Sequence, residues 1–252
     1  MYVKKVITSL LCIVVATQLS SCVDSVAKAT SSSVTPSSTV TVNASMSSQH
    51  EWDVKYTELA NAGGKKFTLN PTSSNIRIYA FRAGKAARFG HNHVLAAPAF
   101  VGYFYLPPTD VASARFDLEF RFDQLEIDNP QYRALLGKAF ATILSPDAID
   151  GTRQHMLGET NLQADQYPYV RIHSLQISGE APKFSAKIQV QMHGQSREMW
   201  VPLNVDGLPE QLKVSGSFVL RQSDFGVTPY SVLGGMLAVQ DEVMIEFQLH
   251  GD

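Results

Sequence analysis

Apolar and polar residues alternate with a period of two through much of this chain, and that rhythm predicts β-strands. It is clearest from Ala114 to Ile127, where Phe116, Leu118, Phe120 and Phe122 fall on one face and Arg115, Asp117, Glu119 and Arg121 on the other. Ile188, Val190 and Met192 oppose Lys187, Gln189 and Gln191, and Val243, Ile245, Phe247 and Leu249 oppose Met244, Glu246, Gln248 and His250. Such strands are expected to bury one face and wet the other, which places Asp117 and Glu119 in water.

Ile76, Ile78 and Ala80 alternate with Arg77, Tyr79 and Phe81 ahead of a turn marked by Gly84 and Gly90, and Phe100–Leu106 is an apolar run closed by Pro107 and Pro108. Strands at Tyr169–Ile177, Lys183–His193, Arg197–Val205, Leu212–Arg221 and Glu242–His250 form an antiparallel meander. Pro202 lacks an N–H and marks a non-bonded or edge-like position in its strand. Between the strands, Asp128 or Asn129 can cap a helix beginning at Pro130, with Tyr132, Leu135, Leu136, Ala139 and Phe140 at helical spacing against the sheet. After Pro146 a second helix is expected, capped by Thr152, carrying Arg153, His155, Met156 and Leu157 and ending near Asp165. Eight or nine one-faced strands predict an all-β fold, an antiparallel barrel of about eight strands with a helical insertion, with room inside for side chains or one small ligand. A two-sheet sandwich satisfies the same alternation.

The N-terminus obeys a different pattern. Lys4 and Lys5 precede an uncharged run from Val6 to Ala16 that is too short to span a bilayer, so residues 1–21 are expected to be a signal peptide. Leu19-Ser20-Ser21-Cys22 resembles the lipobox of bacterial lipoproteins, which implies cleavage before Cys22 and lipid attachment to it. With Cys12 lost in the signal, no disulfide is possible in the mature chain. Residues 22–65, rich in Ser, Thr, Ala and Val, are expected to be a flexible tether to a domain at 66–252. Trp52, Val54, Tyr56 and Leu59 could form one weak amphipathic turn there, or a piece that packs on the domain, with a solvated linker favoured. The resulting location is the cell envelope, facing the periplasm, with the outer membrane favoured over the inner one.

Charge narrows the partners. The chain has 21 basic and 23 acidic side chains, and losing Lys4 and Lys5 leaves 19 against 23, a net charge of −4. Nothing in that balance asks for nucleic acid. No G-x-S-x-G, H-E-x-x-H or C-x-x-C motif occurs, so neither hydrolase nor zinc-protease chemistry has support. His91 and His93 stand at i and i+2, so an extended backbone points both imidazoles to one side and Asn92 to the other. With a third ligand such as His155 they could hold a metal. Hydrogen-bonded histidines at a turn and a lipid headgroup contact are the alternatives.

The last third carries the more specific signal. Met192-His-Gly-Gln-Ser-Arg-Glu-Met-Trp-Val-Pro-Leu203, Leu220-Arg-Gln-Ser-Asp-Phe-Gly226 and Asp241-Glu-Val-Met-Ile-Glu-Phe247, with Gln166-Tyr-Pro-Tyr-Val-Arg-Ile172 before them, resemble the ordered motifs of the YceI-like family. Within the second motif Ser223 and Asp224 are expected to cap a turn, Gly226 to take positive φ and Phe225 to anchor it. The resemblance implies a lipocalin-like barrel around an apolar channel for a polyisoprenoid tail, hence a binding protein and not an enzyme, with no cofactor. The residues expected on the ligand are Phe116, Leu118, Phe120, Ile188, Val190, Phe218 and Val243, with His91, His93 and Arg153 at the mouth. The expected partners are an isoprenoid or other long-chain lipid and the membrane through the anchor at Cys22, and pairing into a homodimer is compatible with both. A metal or redox site at His91 and His93, and a solidly packed barrel serving as an interaction module, are the rival readings, and the interior volume separates the last from the first.

Overall fold

The period-two alternation folds as one twelve-stranded sheet, antiparallel at every pairing. The computed structural model describes residues 38–252, with side chains from residue 48, so the expected signal peptide and Cys22 lie outside the described residues. In chain order the first elements are α1 (Ser38–Asn61), β1 (Lys65–Thr68), β2 (Asn75–Ala83), β3 (His93–Ala96), β4 (Phe100–Leu106), β5 (Arg115–Arg121) and β6 (Glu126–Ile127). Two helices follow, α2 (Pro130–Leu135) and α3 (Pro146–Leu157). Then come β7 (Tyr169–Glu180), β8 (Lys183–Met192), β9 (Gln195–Asp206), β10 (Leu212–Arg221), β11 (Ser231–Val232) and β12 (Leu237–Gly251). Eight of the strands have seven residues or more, and the extra four, β1, β3, β6 and β11, are the short pieces that alternation could not register.

The sheet runs β4-β5-β7-β8-β9-β10-β12 and curls until its two sides meet. At one end β1 closes the wall: it pairs with β4, and its continuation bridges to β12 through Leu69 and Gly251, with Asn70 N–H donating to His250 O at 2.8 Å. At the other end β2 pairs with β12, β3 with β2, and β6, the continuation of β5, with β3. Closure leaves few ladder groups for an intruding strand.

β9 and β10 pair only from Asp206 to Leu203, and the ladder stops where Pro202 has no N–H to give, as its chemistry predicts. The turn after β10 packs beside this parting, with Phe225 and Val227 buried and Gly226 at φ 73°, a left-handed conformation that suits glycine. The acid that holds the turn is Asp241, not the expected Asp224: Ser223 N–H donates to Asp241 Oδ1 at 2.8 Å. Asp241 reaches it because β12 leaves its register with β2 between Val239 and Val243.

Three local expectations are corrected. The helix from Pro130 does not run on to Phe140: Asn129 caps it through Gln131 N–H, but it ends at Leu135, and Gly137 at φ 73° turns the chain into a short 3-10 segment. The second helix starts at Pro146, capped by Ser145, and stops at Leu157; Thr152 lies inside it and its hydroxyl donates to Ala148 O at 2.9 Å.

The third correction concerns the segment read as tether, which from Ser38 to Asn61 is the helix α1. Tyr56 is fully buried, stacks on Tyr103 at 5.5 Å and donates its hydroxyl to Asp117 Oδ2 at 2.9 Å. Lys55 Nζ meets the same carboxylate at 2.8 Å, His173 Nδ1 meets its other oxygen, and Trp52 stands edge-on to His173. Asp117 is therefore buried on the outer face of β5 and not in water. Glu119 is buried too, paired with Arg171 at 2.6 Å. A buried carboxylate is tolerable when its lone pairs are met: both Asp117 oxygens have partners, whereas Glu119 relies on Arg171 at Oε2 and its burial pushes its pKa up.

Candidate functional site

The inward faces of the strands do not fill the barrel. They enclose a cavity of about 480 Å³ whose wall is almost wholly aliphatic and aromatic. Phe116, Leu118, Phe120, Ile188, Val190, Phe218 and Val243, picked out from the sequence, all line it. Phe116, Phe120, Phe218 and Phe247 stand around the space without occupying it, so the barrel is not packed solid. An apolar cavity of about 150 Å³ accepts one six-carbon ring, roughly 25 Å³ per carbon, and by that scale this one holds about twenty carbon atoms.

Polarity is confined to one end. Antiparallel connection brings the turns after β2, β5, β8 and β10 to the same end of the barrel, and the polar lining residues His93, Thr152, His155, Asn161, Gln222 and Tyr230 gather there. α3 roofs this mouth with one face: Ala148, Gly151, Thr152, His155 and Met156 follow the i, i+3, i+4, i+7, i+8 spacing of a single helical stripe. None of its residues is fully buried, so the roof is held by few contacts. Arg153 is one of them. It donates to Asp123 O at 3.1 Å and Leu125 O at 2.6 Å, clipping α3 to the rim of the sheet, and it does not line the cavity.

The two histidines part company. His93 opens β3 and lines the cavity, with Nδ1 held 2.6 Å from Asp128 Oδ2. Asp128 is buried and also accepts from Val94 N–H at 3.0 Å and from Arg133 at 2.5 Å. Arg133 in turn donates to Asn92 O and Thr142 O, binding the start of β3, α2 and the segment after it into one knot. Burial pushes the Asp128 pKa up, but the His93 hydrogen bond and charge, the Val94 N–H and the Arg133 charge outweigh it and hold the carboxyl below its usual value. His91 lies outside the cavity lining with a buried Nδ1 that has no partner. Its burial first, then the charges of His93 and Arg133, lower its pKa and keep it neutral at neutral pH. Among the described residues no three His, Cys, Asp or Glu side chains converge to hold a metal ion. Asp128 and Arg133 escaped notice as site residues because they lie far along the chain from His93. The one available signal was Asp128 next to the helix start, read as a cap.

The motif residues mostly brace the rim. Tyr167 packs on His193 at 4.9 Å between ring centres, His193 Nδ1 meets Phe225 O at 3.0 Å, and Arg221 meets Asp241 at 3.1 Å. Four separate stretches of sequence thus lock together at the mouth end, which gives their ordered spacing a physical meaning.

The chain was compared with known proteins. A family model described as "YceI-like domain" matches residues 67–250. No curated protein matches by sequence. Among solved structures, BcnA of Burkholderia cenocepacia superimposes with a TM-score of 0.53 at 16% identity, covering 73% of this chain and 99% of its own. A polyisoprenoid binding domain from Saccharophagus degradans, described as implicated in plant cell wall breakdown, gives 0.49 at 11% identity, covering 74% and 97%. The first of these likenesses supports the fold. The family match spans most of the chain and its motifs meet in space, and on that ground the chain belongs to the YceI-like family.

Proposed function

We propose that this chain is a binding protein of the cell envelope that holds part of a long apolar molecule, a polyisoprenoid or similar lipid, in its barrel. The observation that carries the reading is the apolar cavity with its polar mouth. An amphiphile fits that polarity with its tail inside and its head among His93, His155 and Tyr230. The volume sets a limit: about twenty enclosed carbons at about −0.3 kcal/mol each contribute about −6 kcal/mol, a Kd of about 40 μM against water. A bilayer offers the same tail a comparable apolar environment, so exchange with a membrane lies near balance and suits a carrier or reservoir.

The test is mass spectrometry of an organic extract from the protein purified from its native envelope, where an isoprenoid or other long-chain lipid is expected and an empty extract would overturn the reading. Ala80 lines the cavity half-buried, so Ala80→Phe adds bulk into free space. It should cut recovered ligand at least several-fold while leaving Tm within a few degrees, since filling a void costs little. Attachment through Cys22 forms the other half of the proposal. Cys22→Ser should move the protein from the membrane fraction to the soluble one after a high-salt wash, because weak peripheral contacts do not survive where covalent acyl chains do.

A further inference from the structure

Two loops at the mouth end carry side chains that nothing in the domain covers. Phe89 is 67% exposed, Leu233 72% and Met236 48%. Residues 84–90 and the segment after β11 form one surface: Ala86 N–H donates to Met236 O at 2.8 Å, and a Cβ on Gly84 would stand 2.3 Å from that same oxygen. Three large apolar side chains on two loops in contact are a patch, not scattered surface residues.

The two loops themselves carry charge of one sign. No acid occurs between Glu58 and Asp110 or between Asp224 and Asp241, in a chain whose net charge is −2. Lys85 and Arg88 belong to the first loop, and among the described residues neither has an acidic partner; the Arg88 guanidinium lies 4.7 Å from the Phe89 ring centre. Asp147 and Asp150 are exposed on α3, and Asp241 and Glu242 lie in the β12 bulge beside Arg221, so the two loops are the basic and apolar part of a rim that elsewhere carries acids. The patch also adjoins the mouth: Tyr230, just before β11, lines the cavity and meets the His155 ring at 5.1 Å.

We propose that this surface docks on an anionic lipid bilayer, with Phe89, Leu233 and Met236 entering the boundary between headgroups and acyl chains and Lys85 and Arg88 over the lipid phosphates. Apolar insertion beside unpaired cations is the chemistry of an interfacial anchor. The α3 carboxylates would be repelled by the same surface, which sets the tilt. The proposal deepens the carrier reading and rests on it for its purpose: a tail leaving the bilayer would enter the cavity without crossing water.

The experiment uses the full chain carrying Cys22→Ser, so that no acyl chain contributes, and measures cosedimentation with mixed phosphatidylglycerol–phosphatidylcholine vesicles and with phosphatidylcholine vesicles. Binding is expected to the anionic vesicles, weakening with salt. Lys85→Glu with Arg88→Glu should lower it by at least about twenty-fivefold, at about fivefold for each basic side chain near an anionic surface. Phe89→Ser with Leu233→Ser and Met236→Ser should lower binding at low salt at least several-fold. These exposed positions should leave Tm unchanged, and farnesol binding in solution, read by intrinsic fluorescence, should be equal in all variants. Equal binding to both vesicle types, or no loss in either variant, overturns the docking surface while farnesol binding keeps the cavity reading. Loss of farnesol binding with vesicle binding intact does the reverse. If sedimentation shows a dimer that the triple serine variant dissociates and vesicles do not bind, the patch is a self-contact and the proposal fails.

Discussion

Replacing Asp128 with Ala is expected to lower the stability of the domain by about 3–5 kcal/mol, the usual result of leaving one member of a buried ion pair without its partner. For a domain of this size that is a fall in Tm of about 6–20 °C. The group left behind is Arg133, whose guanidinium is almost wholly enclosed and would keep only Asn92 O and Thr142 O. A second change, Arg133→Met in the Asp128→Ala background, should recover much of the loss, because removing both charges removes the desolvation cost along with the attraction. If the single and double variants melt together, the stranded charge is not the cause.

The same carboxylate predicts a pH dependence. Its folded-state pKa is held below the ordinary 3.8, so its contribution is present above that value and is lost as pH falls through the lower folded one. The gap in Tm between wild type and Asp128→Ala should therefore be constant from neutral pH to about pH 5 and close only in stronger acid. A gap that closed near pH 6.5 would assign the effect to histidine protonation instead.

The barrel was legible because a strand with one buried face writes its burial directly into a period of two. The period sets Phe116, Leu118, Phe120, Ile188, Val190 and Val243 on apolar faces, the family resemblance supplied the channel they line together with Phe218, and Pro202 announced the parting of β9 and β10 by the N–H it lacks. What the pattern cannot carry is a burial that depends on a partner remote in sequence. Asp117 and Glu119 alternate as wet residues do, and only α1 and β7, which bring Lys55, Tyr56, His173 and Arg171, make their burial tolerable. His91 and His93 were legible as a pair, yet Asp128 takes one of them into the cavity wall and leaves the other outside it. Helix α1 was hidden for a related reason. Its first half is rich in Ser, Thr, Val and Asn, which favour helix weakly, and among its described side chains the buried attachment rests on Trp52 and Tyr56 with Leu59 beside them, Lys55 and Asp53 adding ion pairs.

That thin attachment concentrates the energy of α1 in one residue, and Tyr56→Ala should cost about 3–5 kcal/mol, the range for removing a large buried aromatic side chain. The loss has two parts that a second variant separates. Tyr56→Phe keeps the stacking on Tyr103 and removes only the hydroxyl donated to Asp117, a hydrogen bond to a charged group worth about 1.5–3 kcal/mol. Asp117 would still be met by Lys55 and His173, which holds the phenylalanine variant toward the lower figure. Because α1 covers the outer face of β4, β5 and β7 and none of its described side chains lines the cavity, ligand recovery well below Tm should be the same in Tyr56→Ala as in wild type. A wild-type Tm in Tyr56→Ala would mean that α1 contributes nothing to the barrel it covers, and a loss of ligand at unchanged Tm would mean that the outer face governs the inner one.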